Sequence, residues 1–208
     1  MTVPNKLAQW CYKEQVPKIV DPDQRRHEVA QAVFRVIERA GFAGASLRVV
    51  AEEAGLALGS VRHYFESHDD LMLFALNAMS DSISARLLEH VARIPECTDR
   101  RVVVEDMLAE LLPVDEVRRR ECSVWLEFAH AARTNESLRP HAEELARGQR
   151  RLFARILSHR PRLDLAAETE RLCAVMDGLT FTTTLLPGVL SCEEAMAVIR
   201  RHLDALDF

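Results

Sequence analysis

Apolar residues recur at helical spacing along most of the chain, and no run alternates with the period of two that a half-buried strand requires. Val29, Val33 and Ile37 mark one face of a first helix, opened by Asp21 and Pro22 as cap and first-turn pair and stopped by Gly41. Leu47, Val50, Ala51 and Ala54 follow at one-face spacing behind Ser46, whose hydroxyl suits free amides at a helix start, and Gly55 ends this second helix. A third begins within a few residues, with Leu58, Val61 and Phe65 turned inward. Beyond it, prolines at 95, 113, 140, 161 and 187 separate stretches of helical length, predicting helices over about 68–93, 99–112, 115–133, 137–159, 164–186 and 191–206. The fold class is therefore all-α. Residues 1–20, with Pro4, Pro17 and scattered lysines, show no period and read as a loose arm; Lys13 and Lys18 either touch a DNA backbone or, on the plainer reading, belong to an extension that contacts nothing.

The segment from Ser46 to Leu71 holds two short helices, a tight turn and the start of another helix, the layout of a helix-turn-helix. Its second helix leaves Gly59, Ser60, Arg62, His63 and Tyr64 near the surface. Gly59 permits close backbone approach, Ser60 and Tyr64 carry hydroxyls suited to phosphate, and Arg62 or His63 has the reach for base edges in a major groove. Ser67 and Asp70 form an S-x-x-D capping pair for the following helix. A helical hairpin that only packs is the bland alternative, and the polar surface of the second helix argues against it.

GSVRHYF, preceded by LRVVAEEAG and followed by Ser67, Asp69, Asp70 and Leu71, resembles the TetR family of one-component transcriptional repressors, over about 50 residues from Asp23 to Leu73. The resemblance implies a three-helix DNA-binding unit over 21–67 and a helical effector-binding and dimerisation region over 68–208. It also implies a DNA-contacting set of Ser46, Leu47, Arg48, Gly59, Ser60, Arg62, His63, Tyr64 and His68. Three positions depart from the family pattern: Ala57 replaces a capping Ser, at a cost of about 1 kcal/mol, Arg62 stands where many members have Tyr, and His68 where Lys normally meets a phosphate. Plainer readings make Tyr64 a half-buried packing residue, Arg48 a solvated helix residue, and His68 part of a helix first turn.

Charge changes the picture of how DNA is held. The formal net charge is −5 and the isoelectric point near 5.9, which excludes binding by bulk electrostatics. Residues 1–70 carry nine Lys or Arg and ten Asp or Glu, nine minus ten being −1. Binding must rest on local placement, and a symmetric homodimer inserting two helices about one DNA turn apart doubles the contacts without a basic surface. Five cysteines, odd in number and without a C-x-x-C pair, suit a reducing cytoplasm; no secretory signal is evident, and the apolar stretch 179–190 is too short to span a bilayer. With 208 residues, 48% hydrophobic, the chain is long enough to bury a proper core.

In the C-terminal region Leu172, Val175, Met176 and Leu179 form one apolar stripe and Met196, Ile199, Leu203 and Leu206 another. Paired with their copies they would make a four-helix dimer interface, as the resemblance implies; alternatively they cover their own core. Met107, Leu111, Cys122, Trp125, Phe128, His130, Met176 and Phe181, with Thr180 and Thr182–Thr184, are candidates to line a cavity for a small organic effector, although each has a core reading and the threonines can instead bond carbonyls one turn earlier. CSVWLEFAHAA is similar to the branch of the family that includes choline-responsive repressors; choline itself is not implied, since 6% aromatics leaves little material for an aromatic cage. Glu127 and His130 form an E-x-x-H pair of the kind found in di-metal bundles, but such sites need two pairs and no second exists. A metal-dependent bundle enzyme or a helical interaction module is the alternative to a regulator. No phosphate-cradling glycine loop is present, and neither cofactor, metal nor catalytic activity is expected.

Overall fold

A computed structural model describes residues 22–96, 99–159 and 164–208. The expected N-terminal arm, with Lys13 and Lys18, and the cap at Asp21 lie outside the described residues. Those described form nine α-helices and no strand: α1 (Pro22–Gly44), α2 (Leu47–Glu53), α3 (Leu58–Tyr64), α4 (His68–Arg93), α5 (Arg100–Ala109), α6 (Glu116–Ala132), α7 (Arg139–Leu157), α8 (Leu165–Leu185) and α9 (Cys192–Asp204), with a 3₁₀ turn at Ile94–Glu96.

Local chemistry sets these boundaries. Ser46 Oγ accepts from Val49 N at 3.3 Å and so caps α2, whereas Ala57 leaves α3 without a side-chain cap. Gly55 turns the chain between them at φ +66°, a conformation that costs other residues energy. Ser67 Oγ accepts from Asp70 N at 3.0 Å, while the Asp70 carboxylate reaches the amide of Glu66 at 3.1 Å, one residue earlier than in a full capping box. Around Ser191 and Glu194 the box is complete. Gly41, where the sequence stops the first helix, is a break rather than an end: at φ +67° and ψ 178° it kinks α1, which resumes to Gly44.

Two apolar cores follow. The first gathers Val33 and Phe34 of α1, Val50 of α2, Val61 and Phe65 around α3, Leu71, Met72 and Leu76 of α4, and Val124 and Phe128 of α6. The second gathers Val103, Met107 and Leu108 of α5, Phe153 and Leu157 of α7, Leu172 and Met176 of α8, and Ile199 and Leu203 of α9. Burying each such side chain stabilises by about 1.5–3 kcal/mol. By length and composition α4 is apolar enough to cross a membrane, but its face Leu71, Met72, Ala75, Leu76 and Met79 is buried here among the helices it joins.

The expected dimer stripe needs correction. Leu172, Leu179, Ile199, Leu203 and Leu206 are buried within this subunit, and of the expected set only Val175 and Met196 are partly open. The strongest apolar stripe of a helix first covers its own core, so periodicity found the inner faces. The outer faces carry Phe181, Leu185 and Val198, and the segment between the two helices Leu186 and Val189, the last 72% exposed.

Candidate nucleic-acid interface and ligand cavity

Val50 and Ala51 of α2 and Val61 of α3 are buried, which fixes the opposite face of α3 outward. Gly59, Ser60, Arg62, His63 and Tyr64 are all exposed, Tyr64 at 36%. A Cβ built on Gly59 meets nothing within 4 Å, so a surface approaching from outside reaches the backbone there. The His63 and Tyr64 rings stand edge to face at 5.4 Å. Among the described residues Arg62 makes no hydrogen bond or ion pair, so its guanidinium has all its donors available.

The rest of the expected contact set divides. Ser46 is exposed and keeps its hydroxyl hydrogen while accepting from Val49; exposed Arg48 pairs with Glu52 at 3.1 Å. Leu47 packs against the first core. His68 turns inward: its Nε2 lies 3.3 Å from the carbonyl oxygen of Phe42, and its ring meets Phe42 edge to face at 4.9 Å. The helix-first-turn reading of His68 fits this placement better than a phosphate contact.

The α1 kink is held from α6 as well. The Glu127 carboxylate accepts from Phe42 N at 2.9 Å, Phe128 stacks edge-on against Phe42 at 6.4 Å, and Arg120 pairs with Glu38 at 3.1 Å. Glu127 thus caps the backbone at the kink; His130 is exposed, and among the described residues no group of three His, Cys, Asp or Glu is placed to hold a metal. An alanine Cβ at Gly41 would sit 3.3 Å from Glu127 Oε2 in a backbone region unfavourable to side chains. Gly41→Ala is expected to lower stability by about 1–2 kcal/mol, measured by chemical denaturation; an unchanged midpoint would show that the kink is not required.

A cavity of about 470 Å³ opens between α4, α6, α7 and α8, closed at one side by the end of α5. Of the expected lining, Leu111, Cys122, Trp125 and Thr180 are in place. Met107 and Met176 belong to the second core, Phe128 to the first, and Phe181 faces outward at 49% exposure. Sequence reasoning missed Met79, Ile83 and Leu87 of α4 and Leu145, Gly148, Gln149 and Leu152 of α7. Their spacing at three and four residues was a usable signal, as was Gly148, a mid-helix glycine with no turn to make. Thr180 donates to Leu111 O at 2.9 Å, tying α8 to the turn after α5, while Thr183 donates to Leu179 O at 2.7 Å one turn back. Burial pushes the Cys122 thiol up to about 12, so it lines the cavity as a neutral group and not a nucleophile.

The polar side of the cavity is ionic. Glu110 and Glu121 are each 3% exposed. Arg86 of α4 binds Glu110 through Nε at 2.5 Å and Glu121 through its two Nη atoms at 3.1 and 2.5 Å. Arg118 adds two bonds to Glu110, at 2.8 and 2.5 Å, and His90 Nε2 lies 2.8 Å from it. Burial pushes the Glu110 carboxyl up, but the bonds from Arg118, His90 and Arg86 outweigh it and hold the pKa at about 2.

Comparison with known proteins bears on the family and the fold. The model of bacterial regulatory proteins of the tetR family matches residues 31–74, and that of the BetI-type transcriptional repressor C-terminal region matches 100–207. The chain is 32% identical over 195 residues to the HTH-type transcriptional regulator PksA of Bacillus subtilis strain 168, covering 92% of this chain and 94% of that one. A transcriptional regulator from Rhodococcus sp. Rha1 superposes with a TM-score of 0.77 at 29% identity, over 87% of this chain and 95% of the other. The multidrug binding protein EbrR, solved with imidazole, superposes with a TM-score of 0.60 at 33% identity, over 88% of this chain and 96% of its own.

Proposed function

The chain belongs to the TetR family of bacterial transcriptional regulators, and from this premise we propose that it is a repressor that binds a palindromic operator as a homodimer and is released by a small organic effector in the α4–α8 cavity. The observation that carries the reading is α3 itself, with Gly59 to Tyr64 outward apart from Val61 and Arg62 unpartnered among the described residues. In a protein of net charge −5, specificity then comes from a few placed side chains on two heads. The uncovered apolar faces of α8 and α9, with Phe181, Leu185 and Val198, support pairing of two copies there. The similarity to EbrR, a multidrug binding protein solved with imidazole, supports a small organic ligand as the class.

The mechanism follows from where α4 runs. It leaves the reading helices at Ser67 and forms one wall of the cavity with Met79, Ile83 and Leu87, so a ligand that favours one tilt of α4 changes the spacing between two reading helices. Purified protein used to select bound fragments from random DNA is expected to return a palindromic consensus with half-sites about 10 bp apart or a multiple of that. Recovery of no consensus would overturn the reading.

A further inference from the structure

Four carboxylates line the cavity, those of Glu110, Glu121, Glu144 and Asp177, against one cationic side chain, Arg151, already bound to Glu144 at 2.7 Å. Arg86 and Arg118, which neutralise the buried pair, are not among the lining residues; the cavity side presents the acids. Asp177 accepts from Gln149 Nε2 at 3.0 Å, and among the described residues no cationic group lies within ion-pair distance of it. The remaining wall is largely apolar, with Met79, Ile83 and Trp125.

The two buried acids are not held alike. Glu110 is bonded by Arg86, Arg118 and His90, whereas among the described residues Glu121 is bonded by Arg86 alone. Glu121 is therefore the carboxylate that can be shared with an incoming positive group at least cost. We propose, on the basis of the effector reading above, that the cavity takes an organic monocation whose positive end is drawn in past Asp177 and competes with Arg86 for Glu121. The exchange weakens the α4–α6 tie while the α4–α5 tie through Glu110 persists. Both partners of the weakened tie bear on the DNA-reading unit: α4 begins at Ser67 beside α3, and α6 holds the α1 kink through Glu127 and Phe128. An anionic ligand in the same place would meet Asp177 and the paired acids, with no unpaired cation among the described lining residues to receive it.

The test uses the full-length protein on its selected operator, titrated with benzyltrimethylammonium and ethidium as cations, 4-tert-butylbenzoate as anion and 4-tert-butylbenzyl alcohol as neutral probe. Binding is read by calorimetry and operator release by fluorescence anisotropy. The cations are expected to bind at least roughly tenfold more tightly than the other two and to release the operator. Asp177→Gln is expected to weaken cation binding about tenfold with little effect on the alcohol. Glu121→Gln is expected to remove the cation preference in release, while Glu136→Gln, an exposed carboxylate outside the cavity, leaves it in place. Release by the anion or the alcohol as readily as by the cations would overturn the cation assignment and leave the regulator reading standing. Operator binding that no probe of any charge alters would overturn both.

Discussion

The double variant Arg62→Ala, Tyr64→Phe is expected to lose operator binding by about a thousandfold while its melting temperature moves by less than about 2 °C. Both side chains are exposed, and neither belongs to the buried set that holds α2 and α3 together. Surface replacements of this kind usually change stability by no more than about 0.5 kcal/mol. A guanidinium against a base edge contributes about 1–3 kcal/mol and a hydroxyl hydrogen bond about 0.5–1.5 kcal/mol. In a symmetric complex each loss counts twice, so a thousandfold, about 4 kcal/mol, is near the low end of the sum. Anisotropy with the selected duplex at fixed salt measures the affinity, and calorimetric melting the fold. Wild-type affinity in this variant would mean that the contacts lie elsewhere on the head.

Arg86→Leu is expected to be the most destabilising single replacement in the ionic cluster, by about 3–5 kcal/mol, or on the order of 10 °C in melting temperature for a chain of this size. The arginine sits between two carboxylates that are each 3% exposed, and its removal leaves Glu121 with no cation among the described residues. The cost comes from that stranded charge rather than from the worth of the pair, so Arg86→Leu combined with Glu121→Leu should recover much of the loss. The cluster also sets an acid response. The Glu110 pKa is depressed from 4.5 to about 2, so its stabilisation is fully present above about pH 4.5 and is lost as pH falls through that interval towards 2. Denaturation of the single and double variants at neutral pH checks the coupling. A single variant as stable as the wild type would show that the cluster is solvated.

The helix pattern and the reading head were legible because their signals are local. Ser46, Gly55 and Ser67 act within a few residues of themselves, and the inward set Val50, Val61 and Phe65 follows from spacing alone. The inward turn of His68 was not legible, since it depends on Phe42 brought in by the α1 kink, 26 residues away. The dimer stripes failed for a different reason: on α8 and α9 the dominant period belongs to the subunit's own core, with Leu172, Ile199 and Leu203 fully buried, and the outer faces carry fewer large apolar side chains. The cavity was half legible. Cys122 and Trp125 share α6, but the α4 and α7 walls lie far apart in the chain, the Glu110–Arg86–Glu121 cluster joins residues up to 35 positions apart, and nothing in the order of charges announces that pairing. The role of Glu127, weighed in the sequence only as half of an E-x-x-H pair, was not legible because a carboxylate's partner, here the amide of Phe42, is invisible in one dimension.

The central claim is that two copies of this chain lay their α3 helices along one duplex. The native mass of the protein bound to a duplex carrying a single selected site tests it most directly. Two chains per duplex is the predicted result; a complex containing one chain would contradict it.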